Sequence, residues 1–296
     1  MDFQLSDEQR MLQETVREFA DRECQPLAAA WDREARVPDA GIMGQMVEMG
    51  LIGMCLPEAF GGGGQELLSA ILCIEQLARI SPLSAAAVFE SNVGPVRVVE
   101  KFGTDEQRKR LLPLVCQGRM QISVGMTEAE AGSALTDLRT KAEPAEGGWR
   151  LNGRKVFCTG GGHSEAYMVY CRFGDALGAK GIGAILVEKG TPGFSFGKQE
   201  EYMGLRGMPG SDLVFEDCVV PEQNLVVAPG GFRSLMECFD IERCGNATMA
   251  LGIATGALEA ARKHALERET FGKLIAEMAT RVDAARLLVY RAAVNA

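Results

Sequence analysis

The chain has 296 residues, of which 47% are hydrophobic, and it carries a formal net charge of −9. This length and composition allow a substantial core, as one large domain or as two to three smaller ones. The acidic balance, with a pI near 5.0, argues against a nucleic-acid partner, because binding phosphates requires a face rich in Lys and Arg. The opening residues 1–9 are polar and acidic, and no apolar run approaches membrane-spanning length. We therefore expect neither a signal peptide nor a membrane span.

Cysteine and histidine usage excludes further classes of protein. Nine cysteines are scattered along the chain without a C-x-x-C pair, which favours reduced thiols and a cytoplasmic location. The two histidines, His163 and His264, are not spaced to cysteines or carboxylates as zinc ligands are, so we expect no metal site. No G-x-S-x-G sequence occurs, which disfavours a Ser-His-Asp hydrolase.

Helical signals fill the first 121 residues. Ser6 forms a capping box with Gln9 and predicts a first helix from about residue 7 to residue 23. A glycine-rich loop is predicted at 57–64. Spacing and stop signals predict four further helices, at residues 41–50, 65–79, 92–102 and 104–117. These patterns predict an N-terminal helical domain over residues 1–121.

The pattern changes after residue 121. Short β-rich runs separated by Gly- and Pro-containing turns predict strands at residues 149–156, 166–173, 182–188, 194–199 and 212–219. We therefore predict a small β-barrel or β-sandwich domain over residues 122–225. Two long amphipathic segments follow, at 232–269 and 273–296, the first forming one helix or two. They predict a C-terminal helical domain over residues 226–296, and the fold class is α+β.

The stretch from residue 126 to residue 162 carries the strongest functional signal. Its first part is dense in small residues and hydroxyls, so its backbone N–H groups can approach a bulky anionic or heteroaromatic ligand. Its second part places Phe157 and Thr159 on one face of a strand, where a ring can cover a flat ligand and a hydroxyl can bond its edge. The structural alternative is an ordinary glycine-rich turn and strand, with Phe157 in the core.

This stretch resembles the flavin-binding signatures of the acyl-CoA dehydrogenase family, whose usual forms are T-E-P-x-A-G-S-D and K-x-W-I-T-N-G. The resemblance rests on Thr127-Glu128, on Ala131-Gly132-Ser133 and on the segment 155–161. Four positions depart from the usual forms: Ala129 replaces the proline, Ala134 the aspartate, Phe157 the tryptophan and Gly160 the asparagine. Further matches cover almost the whole chain and lie at 57–64, 203–207, 217–221, 240–243 and 268–273.

The resemblance implies a function and a set of site residues. It implies an FAD-dependent oxidoreductase of fatty acid metabolism that removes the α-proton of an acyl-CoA and passes the β-hydride to flavin N5. It implies electron transfer flavoprotein or a similar acceptor as partner, and a homo-oligomer, a dimer or a tetramer. It places these residues at the flavin: Val124, Met126, Thr127, Gly132, Ser133, Phe157, Cys158 and Thr159. It places Ser133, Asp240 and Arg243 at the substrate.

The segment after the first long helix is implied to reach the FAD pyrophosphate of a neighbouring subunit. It contains Arg268, Thr270 and Phe271, and a guanidinium suits a phosphate ligand. The alternative for Arg268 is a solvated arginine at a helix end. After Gly272-Lys273 about ten residues of the family pattern are skipped, close to three helical turns. We expect a shortened helix hairpin with the apolar face of 284–294 uncovered, unless another chain covers it.

The catalytic base is a separate question. Most members of the family carry it as a glutamate near the C-terminus, in a stretch that by resemblance would lie beyond Ala296; the chain is then an incomplete version of a longer dehydrogenase or a diverged member. A minority place the glutamate before the arginine of a D-x-x-R turn, and Glu242 stands there, in Asp240-Ile241-Glu242-Arg243. We predict Glu242 as the base. The alternative is an acid in the first turn of the long helix, favoured by the helix dipole alone.

Two other functions stay open. A flavin-containing lyase of the desulfinase kind would perform an elimination without net oxidation, and Ala134 and the glycine run 160–162 motivate it. A non-catalytic acyl-CoA-binding or partner-binding paralogue is motivated by the absent C-terminal glutamate.

Overall fold

The computed structural model describes residues 4–267 and 272–296. Within these ranges the helices are α1 (Asp7–Phe19), α2 (Gln25–Glu34), α3 (Ala40–Glu48), α4 (Leu67–Ile80), α5 (Pro82–Asn92), α6 (Val96–Phe102), α7 (Asp105–Cys116), α8 (Phe232–Leu266) and α9 (Gly272–Asn295). The strands are β1 (Ile122–Gly125), β2 (Lys141–Ala145), β3 (Gly148–Thr159), β4 (Ala166–Phe173), β5 (Ile182–Glu188), β6 (Phe194–Phe196), β7 (Gly210–Pro221) and β8 (Leu225–Val227). The order of helices, sheet and helices confirms the predicted α+β class.

The capping signals at the N-terminal side are confirmed. Ser6 and Thr104 each accept a hydrogen bond from the backbone N–H three residues later, with the reciprocal glutamine bond in place. The predicted end of the first helix is wrong, because a wide helical turn at Ala20–Cys24 carries the chain from α1 into α2. That turn absorbs Pro26, which lacks a backbone N–H and stands in the first turn of α2.

Two helices, α2 and α5, escaped prediction. The sequence predicts a helix over 92–102, whereas the structure ends α5 at Asn92 and begins α6 at Val96. The start of α5 has a clear cause, since Ser81 accepts from the N–H of Leu83 and Pro82 occupies the first helical position. α5 is buried along most of its length, so it lacks the polar face that makes a helix visible in a sequence.

The eight strands form one sheet with the order β6-β7-β3-β2-β4-β5-β8, and β1 pairs with β4 in parallel. The predicted bounds of β4 and β5 are confirmed. β6 was predicted but is shorter than expected, and β1, β2 and β8, each of five residues or fewer, were not predicted. Side chains of β4 alternate between two cores: Tyr167 and Val169 pack toward β3 and β7, and Met168 and Tyr170 pack toward the helices. The sheet therefore folds over one apolar core and presents a second to the helical part.

The long helix α8 is unbroken over 35 residues and lies against α4 and α5. Close approach needs glycine, because a Cβ on Gly252 would stand 2.5 Å from the Cβ of Ala78. α9 packs on α4 through Tyr290, whose hydroxyl donates to the buried Glu75 at 2.7 Å. None of the described helices has the length and hydropathy needed to cross a membrane.

The other face of α9 is exposed, as the sequence predicts. Leu287, Leu288 and Val294 expose 45%, 65% and 67% of their surface. Isolated exposed apolar residues are common on proteins, but three on one helix form a patch.

Candidate functional site

A cleft of about 420 Å³ lies where the loop after β1, the end of β3 and the N-terminal third of α8 meet. The residues that line it are Val124, Met126, Thr127, Gly132, Ser133, Leu135, Val156, Phe157, Cys158, Thr159, Phe239, Glu242 and Arg243. Both flavin-signature segments of the sequence therefore border one cavity, together with the predicted base.

The end of β3 is reshaped so that a large ring faces the cleft. The pairing of β3 with β7 shifts register between Lys155 and Cys158, and Phe157 lies at a φ of 55° within this irregularity. A bulged residue with positive φ re-aims its side chain, and Phe157 is 69% exposed. The alternative that Phe157 belongs to the core is therefore wrong. Cys158 turns the other way, with its side chain buried in the sheet core.

A buried ion pair joins the loop after β1 to β3. Lys155, with a fully buried side chain, donates to the carboxylate of Glu128 at 2.7 Å and to the carbonyl of Met126 at 3.1 Å. Glu128 also accepts from the backbone N–H groups of Arg139 and Thr140. Burial alone would raise the pKa of Glu128, but Lys155 and these donors outweigh it and hold the pKa below its ordinary value. The loop that borders the cleft is thus anchored at a fixed place.

Glu242 faces the cleft from the third turn of α8, which begins ten residues earlier at Phe232. The alternative that Glu242 is a first-turn acid favoured by the helix dipole is therefore wrong. Its side chain is 12% exposed and accepts from the Arg243 guanidinium at 2.7 Å. Burial raises the pKa of Glu242, and the Arg243 charge opposes that shift. Arg243 in turn lies 4.2 Å from the centre of the Phe239 ring.

The cleft does not include every residue that the resemblance implied. Asp240 is exposed on α8 and does not line it. Arg268, Thr270 and Phe271 lie outside the described residues. The sequence analysis missed Leu135, Val156 and Phe239, which carry no motif signal. It also missed Glu90, a buried acid on α5 whose carboxyl interacts with that of Glu242. An acidic residue in an otherwise apolar stretch of sequence is a signal that could have drawn attention to Glu90.

The residues of the cleft fit the ring end of a flavin. An aromatic ring that is largely exposed within a cleft has no packing role, and it suits a flat heteroaromatic ligand. The hydroxyls of Thr127, Ser133 and Thr159 stand on the same lining and can donate to or accept from the edge of such a ring.

Three sequence profiles match almost the whole chain. They describe the N-terminal, middle and C-terminal domains of acyl-CoA dehydrogenase, and they match residues 6–119, 123–218 and 229–296.

Two characterised relatives show the range of chemistry in this group. Acryloyl-CoA reductase (NADH) of Anaerotignum propionicum is 38% identical, with 99% of this chain and 77% of the relative covered. The 3-sulfinopropanoyl-CoA desulfinase of Paraburkholderia xenovorans is 36% identical, with 99% and 79% covered.

Solved structures agree with this grouping. Butyryl-CoA dehydrogenase from Megasphaera elsdenii superimposes with a TM-score of 0.93 at 32% identity, covering 99% of this chain and 80% of that one. Chains of the same fold have been solved with FAD or with its reduced form.

Proposed function

The chain belongs to the acyl-CoA dehydrogenase family of FAD-dependent oxidoreductases, and from this premise we propose that Glu242 is its catalytic base. One observation carries the proposal: a buried carboxylate with a raised pKa lies on the same cleft as both flavin-signature segments. An α-proton next to a thioester is weakly acidic, so its removal needs a desolvated carboxylate of raised pKa.

The residues that line the cleft would have different roles in the reaction. Arg243 holds the Glu242 carboxylate through its 2.7 Å hydrogen bond, and its charge opposes the rise in pKa that burial causes, which favours the ionised form that accepts a proton. Phe157, Thr127, Ser133 and Thr159 would hold the flavin ring, with Val124, Met126, Gly132 and Cys158 beside it. When bound, FAD supplies the acceptor for the β-hydride. Ser133 and Arg243 would also contact the acyl-CoA, with Asp240 further out on α8.

The test is flavin bleaching in the complete chain loaded with FAD. Anaerobic addition of butyryl-CoA should bleach the visible flavin absorption of the natural protein. Glu242→Gln keeps the shape of the side chain but removes the base, so the bleaching rate should fall about 10³-fold while FAD stays bound. Glu237→Gln, on the exposed side of the same helix, is the matched control and should bleach normally. Bleaching at the natural rate in Glu242→Gln would remove Glu242 from the mechanism.

A second candidate is elimination without net oxidation, supported by the 36% identity to the desulfinase relative. If this second function is correct, the protein should release the sulfinate sulfur of 3-sulfinopropanoyl-CoA while the visible flavin spectrum stays unchanged. Formation of an enoyl-CoA with stoichiometric bleaching would rule it out. A non-catalytic role would require that the protein stay colourless with added FAD.

We further propose the surroundings in which this chemistry operates. An electron transfer flavoprotein or a similar acceptor would reoxidise the flavin, within fatty acid metabolism. A dimer or tetramer would cover the exposed apolar face of α9 and bring Arg268, Thr270 and Phe271 to a neighbouring FAD. Nine unpaired cysteines support a cytoplasmic, reducing location. The domains would span residues 1–121, 122–225 and 226–296.

A further inference from the structure

Glu90 is a buried acid whose carboxyl oxygen Oε2 has no hydrogen-bond partner among the described residues. The residue is 8% exposed, on a helix buried on nearly all sides. Leaving a buried polar atom unpaired is costly, and such atoms in native proteins call for an explanation. Glu90 therefore stands apart from the other deeply buried acids, Glu75 and Glu128, which accept hydrogen bonds and pair with Arg286 and Lys155.

Glu90 lies next to the catalytic cleft through the packing of α5 on α8. A Cβ on Gly245 would stand 2.5 Å from Val93 and 2.8 Å from Phe89, so the two helices touch at this level. Glu90 follows Phe89 directly, and Glu242 lies one turn before Gly245 on the facing helix. The two carboxyls interact electrostatically.

Glu90 also lines a second cavity, of about 100 Å³, which shares no lining residue with the cleft and is called the outer cavity below. Ile122 lines this cavity and Val124 lines the cleft, and both side chains project from the same face of β1. His163 and Glu165 also line the outer cavity and are exposed to solvent, so we call their side its outer end. A polar cavity needs only about 10–15 Å³ to admit a water, so this one admits several.

The titratable groups that face Glu90 come from two elements. Glu242 faces it from α8, and His163 and Glu165 stand at the outer end of the cavity. Burial and the neighbouring Glu242 raise the pKa of Glu90 well above its ordinary value. Of two interacting carboxyls the more deeply buried one keeps the proton, which leaves Glu242 ionised beside Arg243.

We propose that Glu90 is a proton relay: it moves the proton that Glu242 takes from the substrate into the outer cavity and so to solvent. This rests on the proposed role of Glu242. The α C–H bond breaks and its proton goes to Glu242. Glu90 gives its own proton to water in the cavity and then takes the proton held by Glu242. One proton reaches solvent, no electrons move along this path, and both acids return to their starting forms.

The test separates proton release from the chemical step. In D2O, 3-thiabutyryl-CoA can exchange its α-protons but has no β-hydrogen on carbon to give up as hydride. We expect Glu90→Gln to slow this exchange about tenfold or more, and to slow it by a larger factor than single-turnover bleaching by butyryl-CoA, a step that needs no proton to leave Glu242. Exchange at the natural rate in Glu90→Gln would contradict the relay and leave the proposed function of the cleft standing. Failure of the natural protein to bleach would contradict the proposed function itself.

A second variant leaves Glu90 in place. Ala87 lines the outer cavity, so Ala87→Leu should fill it and slow exchange to a similar degree. Natural exchange in a folded Ala87→Leu would contradict the relay even if Glu90→Gln fails to fold.

The infrared C=O band of a protonated carboxylic acid at neutral pH is an independent readout: it should be present in the natural protein and lost in Glu90→Gln. A Glu90→Gln spectrum that keeps this band would place the proton elsewhere and overturn the relay.

Discussion

Two buried acids, Glu128 and Glu90, lie close to elements that border the cleft but do not line it, and their electrostatic surroundings differ. Glu128, under the loop after β1, is matched by the Lys155 charge and by two backbone N–H donors, and its pKa is lowered. Glu90, behind α8, has an oxygen without a partner and faces another carboxyl, and its pKa is raised. Both are almost inaccessible to solvent, so burial does not distinguish them.

The difference lies in what each acid can do. A carboxylate held by a lysine and two N–H groups is fixed in charge and position, which suits an anchor for a cofactor loop. A carboxyl without such partners can change its protonation state at modest cost, which suits proton transfer. The following variants test this contrast.

The largest effect should come from breaking the paired site. Lys155→Met leaves the Glu128 charge buried without its partner, and we expect a loss of about 3–5 kcal/mol in the free energy of unfolding. Denaturant titration measures it. The double variant Lys155→Met, Glu128→Gln removes the charge as well and should recover most of the loss. If Lys155→Met alone lowers the free energy of unfolding by less than about 1 kcal/mol, the Lys155–Glu128 pair does not anchor the loop after β1.

The pH dependence of stability should have opposite signs at the two acids. Because the folded pKa of Glu90 is raised, the stability that Glu90 contributes to the folded state is fully present below the ordinary value of 4.5 and is lost as pH rises above it. Because the folded pKa of Glu128 is lowered, the stability that Glu128 contributes is present above 4.5 and is lost as pH falls below it. The slope approaches about 1.4 kcal/mol per pH unit for each group.

Two single variants measure these slopes by denaturant titration across pH. Glu90→Gln should make the free energy of unfolding decline less steeply as pH rises above 4.5. Glu128→Gln should make it decline less steeply as pH falls below 4.5. Equal slopes in Glu90→Gln and the natural protein above pH 4.5 would mean that Glu90 is not held in its protonated form.

A smaller effect is expected at the exposed ring of Phe157, which lines the cleft. Phe157→Ala removes a ring that is 69% exposed, so the free energy of unfolding should change by less than about 0.5 kcal/mol. The loss of ring contact should weaken FAD binding about tenfold. Flavin fluorescence titration measures the affinity, and natural affinity in this variant would show that Phe157 does not contact the cofactor.

The smallest effect should come from the exposed apolar face of α9, which supplies a reference away from any buried charge. Leu287→Ser and Leu288→Ser alter side chains that are 45% and 65% exposed, and each should change the stability of an isolated chain by about 0.5 kcal/mol or less. Sedimentation should be followed in parallel. A loss above about 2 kcal/mol together with a fall in mass would mean that a second copy covers this face.

Much of the fold was predictable because its signals are local. Capping boxes at Ser6 and Thr104, and the bounds of β4 and β5, follow from neighbouring residues and are confirmed. α2 and α5 were not predicted, and α5, which is buried along most of its length, has no polar face to reveal it. β1, β2 and β8 were not predicted either, since three to five residues hold hardly any period.

The sequence by itself determined the class of the fold, the family and the flavin segments, because motif residues lie close together along the chain. It predicted Glu242 as the base and left open whether Phe157 lies in the core or at the cofactor. Only the tertiary structure showed that Glu242 and both flavin segments border one cleft, and that the bulge in β3 leaves the Phe157 ring exposed. It also brought Glu90 to within electrostatic reach of Glu242, about 150 positions away in the chain. Helix packing sets that proximity, and no spacing in the sequence encodes it.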